Sequence, residues 1–121
     1  MQFDHTRFEV YQLGLKLFEQ CNCIAETLPR NRFMVADQLL RASLSVPLNI
    51  AEGAGEFSRA EKSRFYRMAR RSAAEVAAIL DAIEIAGLSP ASAQIAQARQ
   101  TAERIAAMLT GLIVSTSARA K

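Results

Sequence analysis

The sequence has no tryptophan and a single histidine, His5. One histidine near the start leaves nothing from which a Ser-His-Asp triad or a His/Cys zinc site could be built within one chain. The charged residues show no paired acid and base, no activated nucleophile and no phosphate-loop spacing. The reading is of a protein without catalytic residues, metal or cofactor. The two cysteines, Cys21 and Cys23, stand two apart, so on a helix they point to nearly opposite sides and suit neither a disulfide nor a shared metal. They read as small reduced residues in or beside a core. No apolar run approaches the roughly 18 residues of a membrane span, and the start "MQFDHTRFEV" lacks the charged end and apolar core of a secretory signal. The expected compartment is the cytoplasm, with no membrane partner.

Proline and glycine are also scarce, three and five residues, so few points break the chain. Between them the sequence is rich in Ala, Leu, Arg, Glu and Gln, which favour helix. At 121 residues, half of them hydrophobic, the chain has one domain's length and a modest core. The expected fold is all-α, a single four-helix bundle with helices at about 7–28, 32–52, 59–86 and 90–114 and a frayed C-terminal tail. Thr6 and Glu9 have the spacing of a capping box, Pro29 stops helix 1, and Asn31 is placed to cap helix 2. Gly53 and Gly55 end helix 2, and Ser58 with Glu61 forms a second capping box. Gly87 followed by Leu88 reads as a glycine C-cap, after which Ser89 caps helix 4 and Pro90 fits its first turn. Joints this short force consecutive helices to run antiparallel, up-down-up-down.

Helix 1 carries more apolar surface than one bundle needs. Phe8, Tyr11, Leu15, Phe18 and Ala25 form its main stripe, with Leu13, Leu17, Cys21, Ile24 and Leu28 beside it. The excess predicts self-association, through helix 1 and the leucine-rich part of helix 4.

On helix 2, Gln38, Arg41, Ser45, Asn49 and Glu52 recur at spacings of three and four and stack into one polar stripe. Leu39, Leu40, Ser43, Val46 and Ile50 fall on the other side. Pro47 is in that second group and removes the donor for the Ser43 carbonyl, at a cost of about 3 kcal/mol unless offset. Hydroxyls at Ser43 and Ser45 could satisfy freed backbone groups, which favours a kink over a break. The stripe is either a hydrogen-bonded seam that sets helix register or subunit contacts, or a ligand site.

Helix 3 holds the charge. From residue 59 to 71 six basic residues stand against one acidic residue, a local +5 in a chain whose total is +3. Arg59, Arg64, Arg67, Arg70 and Arg71 project within one arc and Lys62 lies near them, while Phe65, Met68, Ser72, Val76, Ile79 and Ile83 take the opposite, core-facing side. Positive charge in the first turns opposes the helix dipole, so helix stability does not account for it. Arginine grips phosphate or carboxylate with two hydrogen bonds, so the face suits RNA or DNA, or the carboxylates of a neighbouring subunit. Tyr66 is the one aromatic near it.

The run "QLLRASLSVPLNIAEGAGEFSRAEKSRFYRMARRSAAE" resembles the signature of the four-helix-bundle family named after 23S rRNA intervening sequences, itself similar to accessory variability determinant proteins of diversity-generating retroelements. The resemblance rests on Tyr11-Gln12, Gln38, Arg41-Ala42, Ser45-Val46-Pro47, Asn49-Ile50-Ala51-Glu52-Gly53, Phe65, Ala69-Arg70 and Ser72. It implies a ring-like homopentamer without enzymatic activity and, in the retroelement branch, binding to nucleic acid and to a reverse transcriptase. Glu56 and Arg71 depart from the family pattern, at a position often within a Gly-x-Gly-Arg run and at a usual glycine. Two function classes follow: a nucleic-acid-binding accessory oligomer, or a protein-protein scaffold.

Overall fold

The computed structural model describes residues 5–119. Four long helices follow one another: α1 His5–Ala25, α2 Phe33–Gly55, α3 Arg59–Ile85 and α4 Ser92–Arg119, with a 3-10 turn at Arg30–Arg32 before α2. There is no strand among the described residues. Each helix packs on two others, α1 on α2, α2 on α3, α3 on α4 and α4 on α1, which closes a cycle around one core. The neighbours meet at Gly14 with Pro47, Gly53 with Tyr66, Arg70 with Thr110 and Glu9 with Arg104. No helix among the described residues is long and apolar enough to cross a membrane.

The helix ends differ from expectation where tertiary contacts outrank local signals. Thr6 lies inside α1, not ahead of it, and that helix closes at Ala25, three residues short of Leu28. Asn31 sits in the 3-10 turn, and α2 starts behind Arg32 with no side-chain cap. Gly53 lies within the last turn of α2, and the helix ends at Gly55, three residues beyond the expected Glu52. Pro90 precedes α4 by two residues; Ser89 accepts from the Ala91 amide at 3.0 Å and so turns the chain before the helix begins. The expected frayed tail from residue 115 is helical to Arg119, and Ala120 and Lys121 lie outside the described residues. Two signals hold. Ser58 is the N-cap of α3, accepting from the Glu61 amide at 3.2 Å. Gly87, at φ 62°, closes α3: its own amide donates to Glu84 and that of Leu88 to Ile83, the two bonds of a Schellman motif.

Core faces are rotated from the expected ones in α1 and α3. Val10, Leu17, Cys21 and Ile24 are fully buried, whereas Phe8 and Leu15 of the supposed main stripe are exposed. In α3 the buried set is Ser63, Tyr66, Ala69, Ala73, Val76, Leu80 and Ile83, and Met68 faces out. Alanines take this face because α2 and α4 come close there, so small side chains and one tyrosine fill the space. In the leucine-rich part of α4, Ile105, Leu109 and Ile113 are core, Met108 and Leu112 are partly buried and Val114 is exposed. The two cysteines point to different sides, as their spacing implies: Cys21 is buried in the core and Cys23 is exposed. Burial pushes the Cys21 thiol up to about 12, partly offset by a hydrogen bond with Ser43.

Two glycines set the helix spacing. A Cβ on Gly14 would stand 3.2 Å from the Pro47 Cβ, and one on Gly53 would stand 2.6 Å from the Tyr66 ring. α2 runs unbroken through Pro47. Ser43 donates to the Leu40 carbonyl at 3.2 Å and Ser45 bonds Ser72, so neither hydroxyl serves the carbonyl that the proline leaves without its helical donor. The buried ring is instead useful against α1, where Gly14 makes room for it.

Alanine is a better helix former than glycine by about 1 kcal/mol, so the contacts decide the sign of a substitution. Gly111→Ala, with nothing within 4 Å of the new methyl, should raise stability by about 0.5–1 kcal/mol. Gly53→Ala should lower it by about 1–3 kcal/mol through overpacking against Tyr66. Urea unfolding of the two variants checks both; a stabilised Gly53→Ala protein would show that Tyr66 moves aside freely.

Candidate nucleic-acid interface

Ser58 starts α3 with arginine as its first residue, and the helix then carries its cations on two sides. Arg64 and Arg71 point outward. Arg64 is held along its own helix, 3.0 Å from Glu61 and 4.6 Å from the centre of the Phe65 ring. Arg59, Arg67 and Arg70 turn towards α4. Arg67 donates to Ser63 at 2.6 Å, and Arg70, half-buried, donates to Thr110 at 3.1 Å. Arg70 therefore does not project freely away from the core, as the helical arc alone suggested.

Lys62 has another task. Its ammonium donates to the carbonyls of Gly53 and Ala54 at 3.3 and 3.2 Å, the last turn of α2, where orphan carbonyls and the negative end of the helix dipole favour a cation. The ammonium is thus tied to α2, a contact that the helical arc did not suggest, while its side chain still lines a hollow beside the arginines. Tyr66 is also moved, since it is fully buried against Gly53 and offers no ring at the surface.

Between α3 and α4, Arg59 and Arg67 line a cleft of about 260 Å³ with Ser63, Thr116 and Ser117. A second hollow of about 120 Å³ adjoins it at the same end of the molecule, lined by Arg7, Phe57, Arg59, Lys62, Ser115 and Thr116. Neither lining includes a carboxylate. Thr116 donates its hydroxyl proton to the Leu112 carbonyl at 2.7 Å. Arg7, Phe57 and the hydroxyls of α4 were missed from sequence. Phe57 had a signal, an aromatic in the short joint just ahead of the arginines. Arg7 had none, because only folding brings the start of α1 beside α3.

The polar stripe of α2 is not one continuous buried seam. Gln38 and Ser45 reach α3, Gln38 donating to Glu75 at 2.6 Å and Ser45 bonding Ser72. Asn49 bonds the Ser45 carbonyl of its own helix at 2.8 Å, Arg41 pairs with Asp37 at 2.8 Å on the surface, and Glu52 is exposed. Register between α2 and α3 is what this side supplies. The remaining ion pairs are clamps as well: Arg99 of α4 meets Asp81 and Glu84 of α3 at 2.5 and 3.1 Å, and Arg104 meets Glu9 at 2.9 Å.

A four-helix all-α protein with a cationic cleft along one helix pair, and no metal-ligand cluster among the described residues, is the class that fold and site define. Residues 6–111 match the family model of the 23S rRNA-intervening sequence protein, and the chain belongs to that family. No curated protein matches it.

Replacing Lys62 by methionine keeps the apolar stem and removes the cap on α2. The melting temperature should fall, by the equivalent of about 1–2 kcal/mol, with little change in helix content. An unchanged melting temperature would show that the ammonium contributes nothing there and is available to a ligand.

Proposed function

We propose that this protein is a non-enzymatic, homo-oligomeric accessory protein of the cytoplasm that binds nucleic acid by its phosphates, through Arg59, Arg64, Arg67, Arg70 and Arg71 of α3. The observation that carries this reading is the carboxylate-free cleft in which Arg59 and Arg67 stand together beside the hydroxyls of α4. Asp81, Glu84 and Glu9 take Arg99 and Arg104 and join helices, and the lining of the cleft at Arg59 and Arg67 holds hydroxyls and no carboxylate. Phosphate contacts made this way carry little sequence information.

In this reading the helices alternate in direction, a view supported by the order of contacts, since Gly53, Ser45 and Gln38 of α2 meet Tyr66, Ser72 and Glu75 of α3 in turn. Copies associate through α1 and α2. Phe8 and Leu15 on α1, and Leu44 and Leu48 on α2, are exposed large apolar side chains flanking the Gly14–Pro47 contact, and monomers rarely expose such a group together. That side lies across the molecule from the α3–α4 cleft, so a closed ring, with five copies as the family resemblance implies, would keep every cleft on its outside. Symmetry then multiplies a weak contact through effective concentration. A reverse transcriptase remains a partner by resemblance alone.

Affinity for an oligonucleotide should fall steeply from low to physiological salt. Arg67→Glu combined with Arg71→Glu, both exposed, should weaken binding by about tenfold or more and flatten the salt dependence, with helix content intact. Fluorescence anisotropy at several salt concentrations checks this; a parent protein that binds no nucleic acid even at low salt would leave the scaffold reading in its place.

Sedimentation tests the assembly separately. The parent should run as an oligomer and Leu48→Asp as a folded monomer. A monomeric parent at micromolar concentration would remove the ring.

A further inference from the structure

Phe57 has a placement that neither the fold nor the phosphate contacts explain. It stands in the joint between α2 and α3 and is 101 % exposed, so it adds nothing to the core. An isolated exposed apolar residue needs no explanation. This one lines the hollow formed by Arg7, Arg59, Lys62, Ser115 and Thr116, which opens beside the cleft of Arg59 and Arg67. An aromatic face bordered by cations on two helices is the arrangement that receives a nucleotide: the base lies on the ring and its phosphates meet the guanidinium groups. The hollow is too small to enclose a base, so the contact is stacking at its mouth.

We infer that Phe57 is a base-stacking platform, and that the ligand of the α3–α4 cleft is single-stranded nucleic acid. The inference rests on the nucleic-acid reading above and narrows it. In a duplex the base faces are covered by their neighbours, so only an unpaired base can use the ring. Every base has such a face, so the platform adds strand-type selectivity without sequence preference. The local construction favours it. The Ser58 cap and the Gly53–Tyr66 contact fix both helices that flank the joint, and Lys62 ties α3 to the last turn of α2. The ring is thus presented from a short joint between anchored ends.

The experiment compares single-stranded RNA and DNA oligonucleotides with a blunt duplex of equal length, on the full chain, for the parent, Phe57→Ala and Phe57→Trp. The parent should prefer the single strands. Phe57→Ala should lose roughly tenfold in single-strand affinity, with duplex affinity and salt dependence unchanged because no charge is removed. Phe57→Trp should keep the affinity, and its indole, the only one in a chain without tryptophan, should be quenched by single strands and not by the duplex. A Phe57→Ala protein that binds single strands like the parent, or loses duplex binding equally, overturns the platform while the arginine reading stands. A parent that binds neither form overturns both. Truncating a side chain this exposed should leave the melting temperature unchanged, which separates loss of a contact from loss of the fold.

Discussion

The close approach of Gly53 to Tyr66 is the contact on which the functional end of the molecule depends. Tyr66 is the largest fully buried side chain among the described residues, and its ring occupies the space where any other residue at position 53 would carry a Cβ. With the two helices this near, the joint between them needs only residues 56 to 58. Lys62 then comes within reach of the terminal carbonyls of α2. The first turn of α3, with Arg59, is held at the end of the molecule where α1 begins and α4 finishes. A looser contact here would leave the cations attached to a mobile end.

Gly14 and Pro47 do the same for α1 and α2. A proline inside a helix costs a hydrogen bond and crowds the preceding turn, and the ring is tolerated because it is buried against a glycine, where its bulk fills space that a larger neighbour would dispute. Both close pairs combine a residue without a side chain and a rigid ring. Rings lose little conformational freedom on burial, so they suit positions where two backbones must keep a fixed distance. The apolar residues left outside the Gly14–Pro47 seam are those the proposed assembly covers.

Charge is divided by location. Three carboxylates clamp helices together, Asp81 and Glu84 against Arg99 and Glu9 against Arg104. Glu61 steadies Arg64 on the outer side of α3. Arg59 and Arg67 line a cleft whose other members are alanine, serine and threonine. The net charge of the chain, +3, says little about this; the separation of the two sets gives the surface its field.

By itself the sequence determined the number of helices, the Ser58 cap, the Gly87 stop, the buried side of α2 at Leu39, Val46 and Ile50, and the concentration of arginine in the first half of α3. These are local properties: a cap is satisfied within four residues, and charge density is a count. It did not determine which way α1 and α3 are turned. Apolar residues lie almost all round α1, so its period allows two core faces, and in α3 the buried face uses alanines that weigh little in any hydrophobic pattern. Nor could it separate Lys62 from the arginines beside it, or join Arg7 and Phe57 to them. Those assignments depend on which helices touch and how closely, and that was decided only when Gly14 and Gly53 let Pro47 and Tyr66 in.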